Sequence, residues 1–347
     1  MSTVDVVIPC YNYARYLRRC VHSVLSQPNV DVRILIIDDA SSDETPLVGR
    51  DLAVADGRVT FRRHETNRGH IATYNEGLIE WSTSDYAVLL SADDLLTPGC
   101  LSRAVRIMNA DPNIGMVYGR TIHFENEADL PEIDPHDFGF RRWSGADWLR
   151  RRCRAGYNVI TSPEVVVRGE IQRRAGGYRP ELPHAGDLEM WLRIAALADI
   201  AYVNRTPQAF YRVHAKSMMR TVYRGSFLDL RQRKIAFDSF FQHDAAAIAN
   251  ARELHDLANR SLAREALWDA CRTYDRNEVA ACQVQELIDF AMTTYSNAAA
   301  LAEYAALRRR QWLGPVVCNR TQIFAAPALF RKMQRAALKQ RWKHQGV

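Results

Sequence analysis

The first half of the chain alternates short apolar runs with amphipathic stretches. "VDVVIP" reads as a buried strand, and Leu17, Val21, Val24 and Leu25 follow it at i, i+4, i+7 and i+8, the spacing of one helix face. "VRILIIDD" reads as a second buried strand. The "SSDE" after it sets Ser41 and Glu44 in capping-box spacing at the start of a helix. "RVTFRRH" is a third strand, Ile71, Tyr74, Leu78 and Trp81 a helix stripe, "DYAVLLS" a fourth strand, and Leu101, Val105 and Met108 the helix after it. Such alternation predicts an α/β fold, a mostly parallel sheet with helices on both faces.

After Phe124 the pattern loosens. "ENEADLPEIDPHD" is acidic, carries two prolines and reads as a loop. "NVITSPEVVVR" is strand-like and "AGGYRPELPHAGD" is a Gly- and Pro-rich loop. "DLEMWLRIAALA" is a helix with Leu188, Trp191, Leu192 and Ala195 on one face, which puts Trp191 in the core. "QAFYRVH" reads as a last strand. From about Phe227 the patterns are helical and rich in Ala, Arg and Gln. We therefore expect an α/β domain over residues 1–222 and a C-terminal helical region with a basic tail over residues 223–347.

Composition narrows the function classes. With 347 residues, 47% hydrophobic and 25% charged, the chain is globular rather than disordered. A net charge of +6 allows anionic ligands or an anionic membrane surface without demanding nucleic acid, and no RNA-binding signature or zinc spacing is present. Seven scattered cysteines without a CxxC pair suit a reduced, cytoplasmic compartment. "MSTVDVVIPCYN" enters a strand directly, and no window reaches ~18 apolar residues, so neither a secretory leader nor a spanning helix is expected. The tail from Tyr304 to Val347 has no Asp or Glu. There Arg331, Lys332, Arg335, Lys339, Arg341 and Lys343 interleave with Phe330, Met333, Leu338 and Trp342. That suits an interfacial helix on the inner face of a membrane, or a packed helix with a solvated basic face.

Chemistry is expected beyond the carboxyl ends of the strands. Pro9 to Asn12 end the first, Asp38 and Asp39 the second, Asp93 and Asp94 the fourth. There is neither a GxGxxG nor a Walker loop, so a diphosphate would need a divalent cation held by carboxylates. Such a cation would offset the repulsion between Asp93 and Asp94; a solvated turn is the other reading of two adjacent Asp.

Six segments, "VVIPCYNYARYLRRCVHSVLSQ", "LIIDDASSDET", "NRGHIATYNEGL", "YAVLLSADDLLTPGCL", "RRAGGYRPELPHAGDLEMWLRIA" and "YRVH", follow one another in an order and spacing that resembles family 2 glycosyltransferases, over roughly residues 3–217. The resemblance implies a GT-A nucleotide-diphospho-sugar transferase fold with a Rossmann-like mixed sheet. It implies a metal-dependent, inverting transfer of a hexosyl or N-acetylhexosaminyl group in polysaccharide or glycoconjugate synthesis. The donor would be a nucleotide diphosphate sugar, UDP-linked by expectation, the acceptor a glycan or lipid-linked hydroxyl, and the cofactor Mn2+ or Mg2+.

Carried over to this chain, Pro9, Tyr11 and Asn12 line the nucleotide end and Asp39 contacts base or ribose. Asn67, Gly69, Asn75 and Gly77 lie beside the nucleotide-sugar, the glycines in a conformational role. In "SADD", Asp93 binds the metal and the donor, with Asp94 beside it. Ser91 stands where the first Asp of the metal motif usually stands, and offers ribose a hydroxyl without a charge. His214 corresponds to a histidine near diphosphate and metal, while Arg212 reads as solvated. Asp187 corresponds to the general base, with helix N-capping as its plainer role and Glu189 as the runner-up. Tyr178, Glu181 and His184 precede it on the acceptor side. A nucleotidyltransferase would need a Gly-rich basic loop where "IPCYNYARYL" stands. The Ser91 departure also admits a degenerate homologue acting as a nucleotide-sugar-binding or assembly module.

Overall fold

The computed structural model describes residues 1–136, 138–214, 226–279 and 284–347. The boundary expected at residue 222 lies outside them. Within them, one unit comprises residues 1–148, 159–214 and 343–346, and a second comprises residues 149–158 and 226–342.

The first unit carries one nine-stranded sheet. Its strands are β1 (Thr3–Cys10), β2 (Asp31–Asp38), β3 (Val59–Arg63), β4 (Tyr86–Leu89), β5 (Leu95–Leu96), β6 (Ile114–Phe124), β7 (Gly139–Trp143), β8 (Val166–Arg168) and β9 (Asp199–Arg212). They run in the order β3-β2-β1-β4-β8-β6-β9-β5, with β7 also on β9. β1 to β4 are parallel, β8 is antiparallel to both neighbours, and β6 runs parallel to β9. Val4, Val6, Val7 and Ile8 are fully buried, as are Ile34, Leu35, Ile36 and Ile37, so these strands are covered on both faces, as the near-continuous apolar runs require. Helices α1 (Ala14–Leu25), α2 (Thr45–Ala55), α3 (His70–Asn75), α4 (Cys100–Ala110), α5 (Gly145–Ala155, shared with the second unit), α6 (Gly169–Ala175) and α7 (Gly186–Leu197) complete it. α1 buries Leu17, Cys20, Val21 and Val24 on its expected face.

Several local expectations change. The stripe from Ile71 to Trp81 is α3 followed by a π-helical turn, Glu76–Trp81. "NVITSPEVVVR" yields only the three residues of β8, whereas β9 starts at Asp199, well before "QAFYRVH". β9 is hard to read because its apolar run is broken by Asn204 and by Arg205 at φ 68°. The Ser41–Glu44 capping box does not form: α2 starts with Glu44 at the N-cap and no side-chain cap, while Ser41 accepts a hydrogen bond from Asn12 N–H.

The second unit is helical: α8 (Ser226–His243), α9 (Ala251–Arg276), α10 (Val284–Thr294), α11 (Ala302–Leu313), α12 (Pro315–Thr321) and α13 (Ala325–Gln345). Phe237, Phe240, Leu262, Ala266 and Leu267 are fully buried. Buried Arg310 forks onto Asp275 at 2.8 and 3.0 Å. Lys343–Gly346 belong instead to the first unit, where Tyr202 donates to the Lys343 carbonyl at 2.7 Å and Trp143 Nε1 to the Gln345 carbonyl at 3.0 Å. Among the described residues no helix is long and apolar enough to cross a membrane. Six cysteines are buried and unpaired; Cys282 lies outside the described residues.

Candidate active site

Three loops at the carboxyl ends of the parallel strands are tied to one another by hydrogen bonds from backbone N–H groups to side chains. After β1 the chain turns at Asn12, φ 59°, a conformation Asn tolerates through its short polar side chain. Its side-chain oxygen accepts from Ser42 N–H at 2.8 Å, and its own N–H donates to Ser41 Oγ at 2.8 Å. After β2, the Asp39 carboxylate accepts from Arg68 N–H (2.7 Å) and Gly69 N–H (2.9 Å) and pairs with His64 Nδ1 at 2.7 Å. Gly69 makes this possible at φ 83°. Asp39 thus organises the loop at residues 64–69 and keeps acceptor capacity for one further donor.

These loops line a cleft of about 1120 Å³. Pro9, Tyr11, Asn12, Asp39, Asn67, Gly69 and Ser91 all face it, so seven of the donor-side residues come together. Tyr11 is 50% exposed, and Arg15 and Arg18 line the same cleft. Asn75 is engaged elsewhere: it donates to the Tyr178 carbonyl at 2.8 Å and accepts from Tyr178 N–H at 2.6 Å. It clamps the loop that leads to α7. Gly77 serves packing, because a Cβ there would lie 2.2 Å from Val7 Cγ1.

Beyond β4, Asp93 and Asp94 are both buried. Asp93 Oδ2 lies 3.0 Å from His214 Nε2. Asp94 Oδ1 accepts from Arg212 N–H at 2.8 Å. Arg212 is not solvated. Its Nε donates to the Asp93 carbonyl at 2.9 Å, and its guanidinium lies 4.3 Å from the Tyr16 ring centre and 4.4 Å from that of Phe124. Burial first, and the Asp93 charge second, push the Asp94 carboxyl well above the usual range. His214 Nδ1 is buried without a hydrogen-bond partner, and Tyr13, which lines the cleft, packs edge-on against this ring at 5.6 Å. Among the described residues no group of three or more His, Cys, Asp or Glu side chains is disposed to enclose a metal ion. What the structure would offer a cation here is one carboxylate, Asp93, beside the His214 imidazole, with Asp94 adjacent.

Asp187 does not cap α7. Ala185 holds the N-cap position, and Asp187 sits in the first turn, where the helix N-terminus favours a negative charge. Burial nevertheless raises its carboxyl, while hydrogen bonds from Ser162 Oγ and the Tyr178 hydroxyl pull it back. The Tyr178 ring packs on Tyr74 at 5.4 Å, and Tyr74 on His70 at 5.4 Å; both Tyr74 and His70 line the cleft. Glu189 is committed to buried ion pairs with Arg179 (3.0 Å) and Arg193 (2.8 Å). Glu181 is exposed and His184 partly buried. Trp191 is in the core.

Sequence reasoning missed three groups. Arg212 organises the two Asp residues, as described. Ser162, at φ 83° before Pro163, holds Asp187. Glu164 is buried, accepts from Thr161 N–H at 2.9 Å, and is pushed up to about 7 by burial. "TSPE" offered only a Ser-Pro turn signal. Burial, then the charges of Asp94, Asp93, Asp187 and Glu164, push Tyr211 up to about 12.

Residues 5–163 match the family model described as glycosyl transferase family 2. An uncharacterized glycosyltransferase of Nostoc sp. is 32% identical over 129 residues, 37% of this chain and 40% of that protein. The chain thus spans less than two thirds of that relative's length. Staphylococcus aureus TarS 1–349, solved in complex with UDP-GlcNAc, superposes with a TM-score of 0.64 at 14% identity, covering 92% of this chain and 91% of that one. The mannosyltransferase PcManGT of Pyrobaculum calidifontis, solved with GDP-Man and Mn2+, gives 0.50 at 18% identity over 92% and 87%. The shared fold is the GT-A type, a mixed sheet with helices, followed here by the helical region.

Proposed function

We propose, from the match of residues 5–163 to the glycosyl transferase family 2 model, that the chain transfers a sugar from a nucleotide diphosphate sugar to an acceptor hydroxyl with inversion at the anomeric carbon. The observation that carries this reading is that one cleft at the strand ends adjoins two separate carboxylate centres. Tyr13 links it to the Asp93–His214 pair, and Tyr74 with Tyr178 links it to Asp187. An in-line displacement needs this division: leaving diphosphate at one centre, acceptor and base at the other.

Tyr11 offers a ring for the base to stack on, and Asn12, Asp39, Asn67 and Ser91 surround the nucleoside. UDP is the proposed nucleotide, supported by the UDP-GlcNAc of the TarS complex, and a hexosyl or N-acetylhexosaminyl group the sugar. Asp93 and His214, with Asp94 adjacent, would hold Mn2+ or Mg2+, a reading supported by the Mn2+ of the mannosyltransferase complex. That cation would neutralise the leaving diphosphate. Asp187 accepts the proton of the attacking hydroxyl as the new glycosidic bond forms and the bond to the diphosphate oxygen breaks. The acceptor is a glycan or lipid-linked hydroxyl, the catalytic domain ends near residue 222, and the enzyme works in the cytoplasm.

Purified protein offered a panel of nucleotide-sugars, with Mn2+, Mg2+ or chelator, tests the reading. Release of UDP from a UDP-sugar in the presence of a cation is expected. A second reading rests on Ser91, which brings no charge to the metal motif: the chain would bind a nucleotide-sugar without cleaving it. Saturable binding with no release from any donor would establish that reading and overturn the first.

A further inference from the structure

We propose that the outward face of α13 is a docking surface for an anionic lipid membrane. This inference is independent of the transfer reaction. Ala326, Leu329, Phe330, Met333 and Ala337 fall at i, i+3, i+4, i+7 and i+11, one stripe of the helix, and all are exposed. Leu329 is 59% exposed, Phe330 61% and Met333 62%. The helix already has a packing face on the other side. Arg331 stacks 3.5 Å from the Trp268 ring centre, and Trp342 is partly buried. A packed helix with a solvated basic face would turn its large apolar side chains inward. Here Leu329, Phe330 and Met333 point outward, and Trp342, grouped with them by sequence, does not.

Charge selects the occupant. Residues 304–347 contain seven Arg and three Lys and no acidic residue; Arg310 is spent on Asp275 and Arg331 packs on Trp268, while Lys332 is exposed beside the stripe. A second copy docking face to face would set these cations against their own kind. An anionic bilayer satisfies both features: the stripe enters the boundary of headgroups and acyl chains, and the flanking cations meet lipid phosphates. Such an arrangement lies on the membrane and does not span it.

The test uses substitutions in the full-length chain, because deleting the helix would also remove Lys343–Gly346 from the first unit. Cosedimentation is measured with vesicles of phosphatidylcholine alone and of phosphatidylcholine with phosphatidylglycerol. Binding to the anionic vesicles only, weakened by salt, is expected. Phe330→Ser with Met333→Ser should lower that binding on the order of 10-fold or more, and Lys332→Gln by about 5-fold. All three positions are exposed, so circular dichroism and melting should match the parent. Three outcomes overturn the proposal: no binding to anionic vesicles at low salt; equal binding by the Phe330/Met333 double variant; or, without lipid, a dimer in sedimentation velocity that the double variant dissociates, which would make a second copy the occupant.

Discussion

The Ser162 hydroxyl donates a hydrogen bond to the Asp187 carboxylate from a backbone at φ 83°, a conformation L-residues adopt at a cost of about 1–3 kcal/mol. The bond favours the ionised carboxylate and opposes the burial that raises it. Ser162→Ala should therefore raise the Asp187 pKa further. A base works above its pKa, so the acid limb of kcat/KM should move to higher pH. Ser162→Gly loses the same hydroxyl but relieves the backbone. It should share the shifted limb and melt higher than Ser162→Ala. An unmoved limb in both variants would remove Ser162 from the chemistry.

Asp187 and Glu189 separate chemistry from stability within one helical turn. Asp187→Asn removes the proposed proton acceptor and should cut turnover by ~10²-fold or more. Donor affinity should stay unchanged, because the loss is confined to the transition state. Melting should also hold, since Asp187 is not the cap. Glu189→Gln strips one partner from a buried ion pair with Arg179 and Arg193 and should cost about 3–5 kcal/mol. Its turnover per folded molecule should be near normal. If the two phenotypes are exchanged, the base is Glu189.

Much of the first unit could be read from the chain because its early strands are short, apolar and buried on both faces. Val4 to Ile8 and Ile34 to Ile37 leave no other assignment. That Pro9, Asn12, Asp39 and Ser91 would gather at one cleft was also readable, since they sit where strands end. What escaped were relationships between distant segments. Arg212 closes β9 two residues before His214, and periodicity says only that it faces one side of the strand. That side proves to be the Asp93–Asp94 turn and the rings of Tyr16 and Phe124. Ser162 and Glu164 sit in a loop without periodicity, and their roles come from tertiary contacts. Asn75 pairs with Tyr178, 103 positions away, a contact no local pattern encodes.

Gly69 and Gly77 share a motif but fail for different reasons when given a side chain. Gly69 has φ 83° with open space around a would-be Cβ. Gly69→Ala should cost about 1–2 kcal/mol of backbone strain and weaken nucleotide binding by disturbing the N–H that Asp39 accepts. Gly77→Ala meets Val7 Cγ1 at 2.2 Å inside the packed core and should cost about 1–3 kcal/mol. Its donor affinity should be retained in the folded fraction. Denaturant melts and nucleotide titrations of both variants distinguish these outcomes.

Glu164 makes stability depend on pH. Burial raises its carboxyl from 4.5 to about 7. The native state therefore binds this proton more tightly than the unfolded chain. The resulting stabilisation is complete below the unfolded value and is lost as pH rises through the folded one. Between pH 4.5 and about 7 the loss is on the order of 3 kcal/mol. Glu164→Gln keeps an acceptor for Thr161 N–H and carries no charge. It should melt higher than the parent at pH 8 and show a flatter profile across that window. Parallel stability curves for the two proteins would contradict the assignment.

Asp93 and Asp94 are adjacent, buried and mutually repulsive, and Arg212 relieves them only in part: it reaches Asp94 through a backbone N–H and Asp93 through its carbonyl. Its guanidinium makes an ion pair with Glu127 at 2.6 Å. If a cation shared with the donor diphosphate completes the balance, UDP and Mn2+ should each bind weakly alone and strongly together. At ~100 times the dissociation constant, their joint binding should add about 2.7 kcal/mol to the unfolding free energy. Asp93→Asn should abolish this synergy, because it removes the carboxylate that faces His214. Asp94→Asn can still accept from Arg212 N–H through its side-chain oxygen and no longer repels Asp93. It should stabilise the metal-free protein above the ordinary carboxylate range, increasingly so as pH rises, because the raised Asp94 carboxyl otherwise resists ionisation. Ser91→Asp adds a third negative charge before the pair; it should lower metal-free stability and tighten Mn2+ in the presence of UDP. Thermal melts with UDP, Mn2+, both, or both plus chelator read all four proteins in one experiment. Synergy that survives Asp93→Asn, or full turnover in excess chelator, would sink the cation reading and leave the two carboxylates as a turn held by Arg212 and His214.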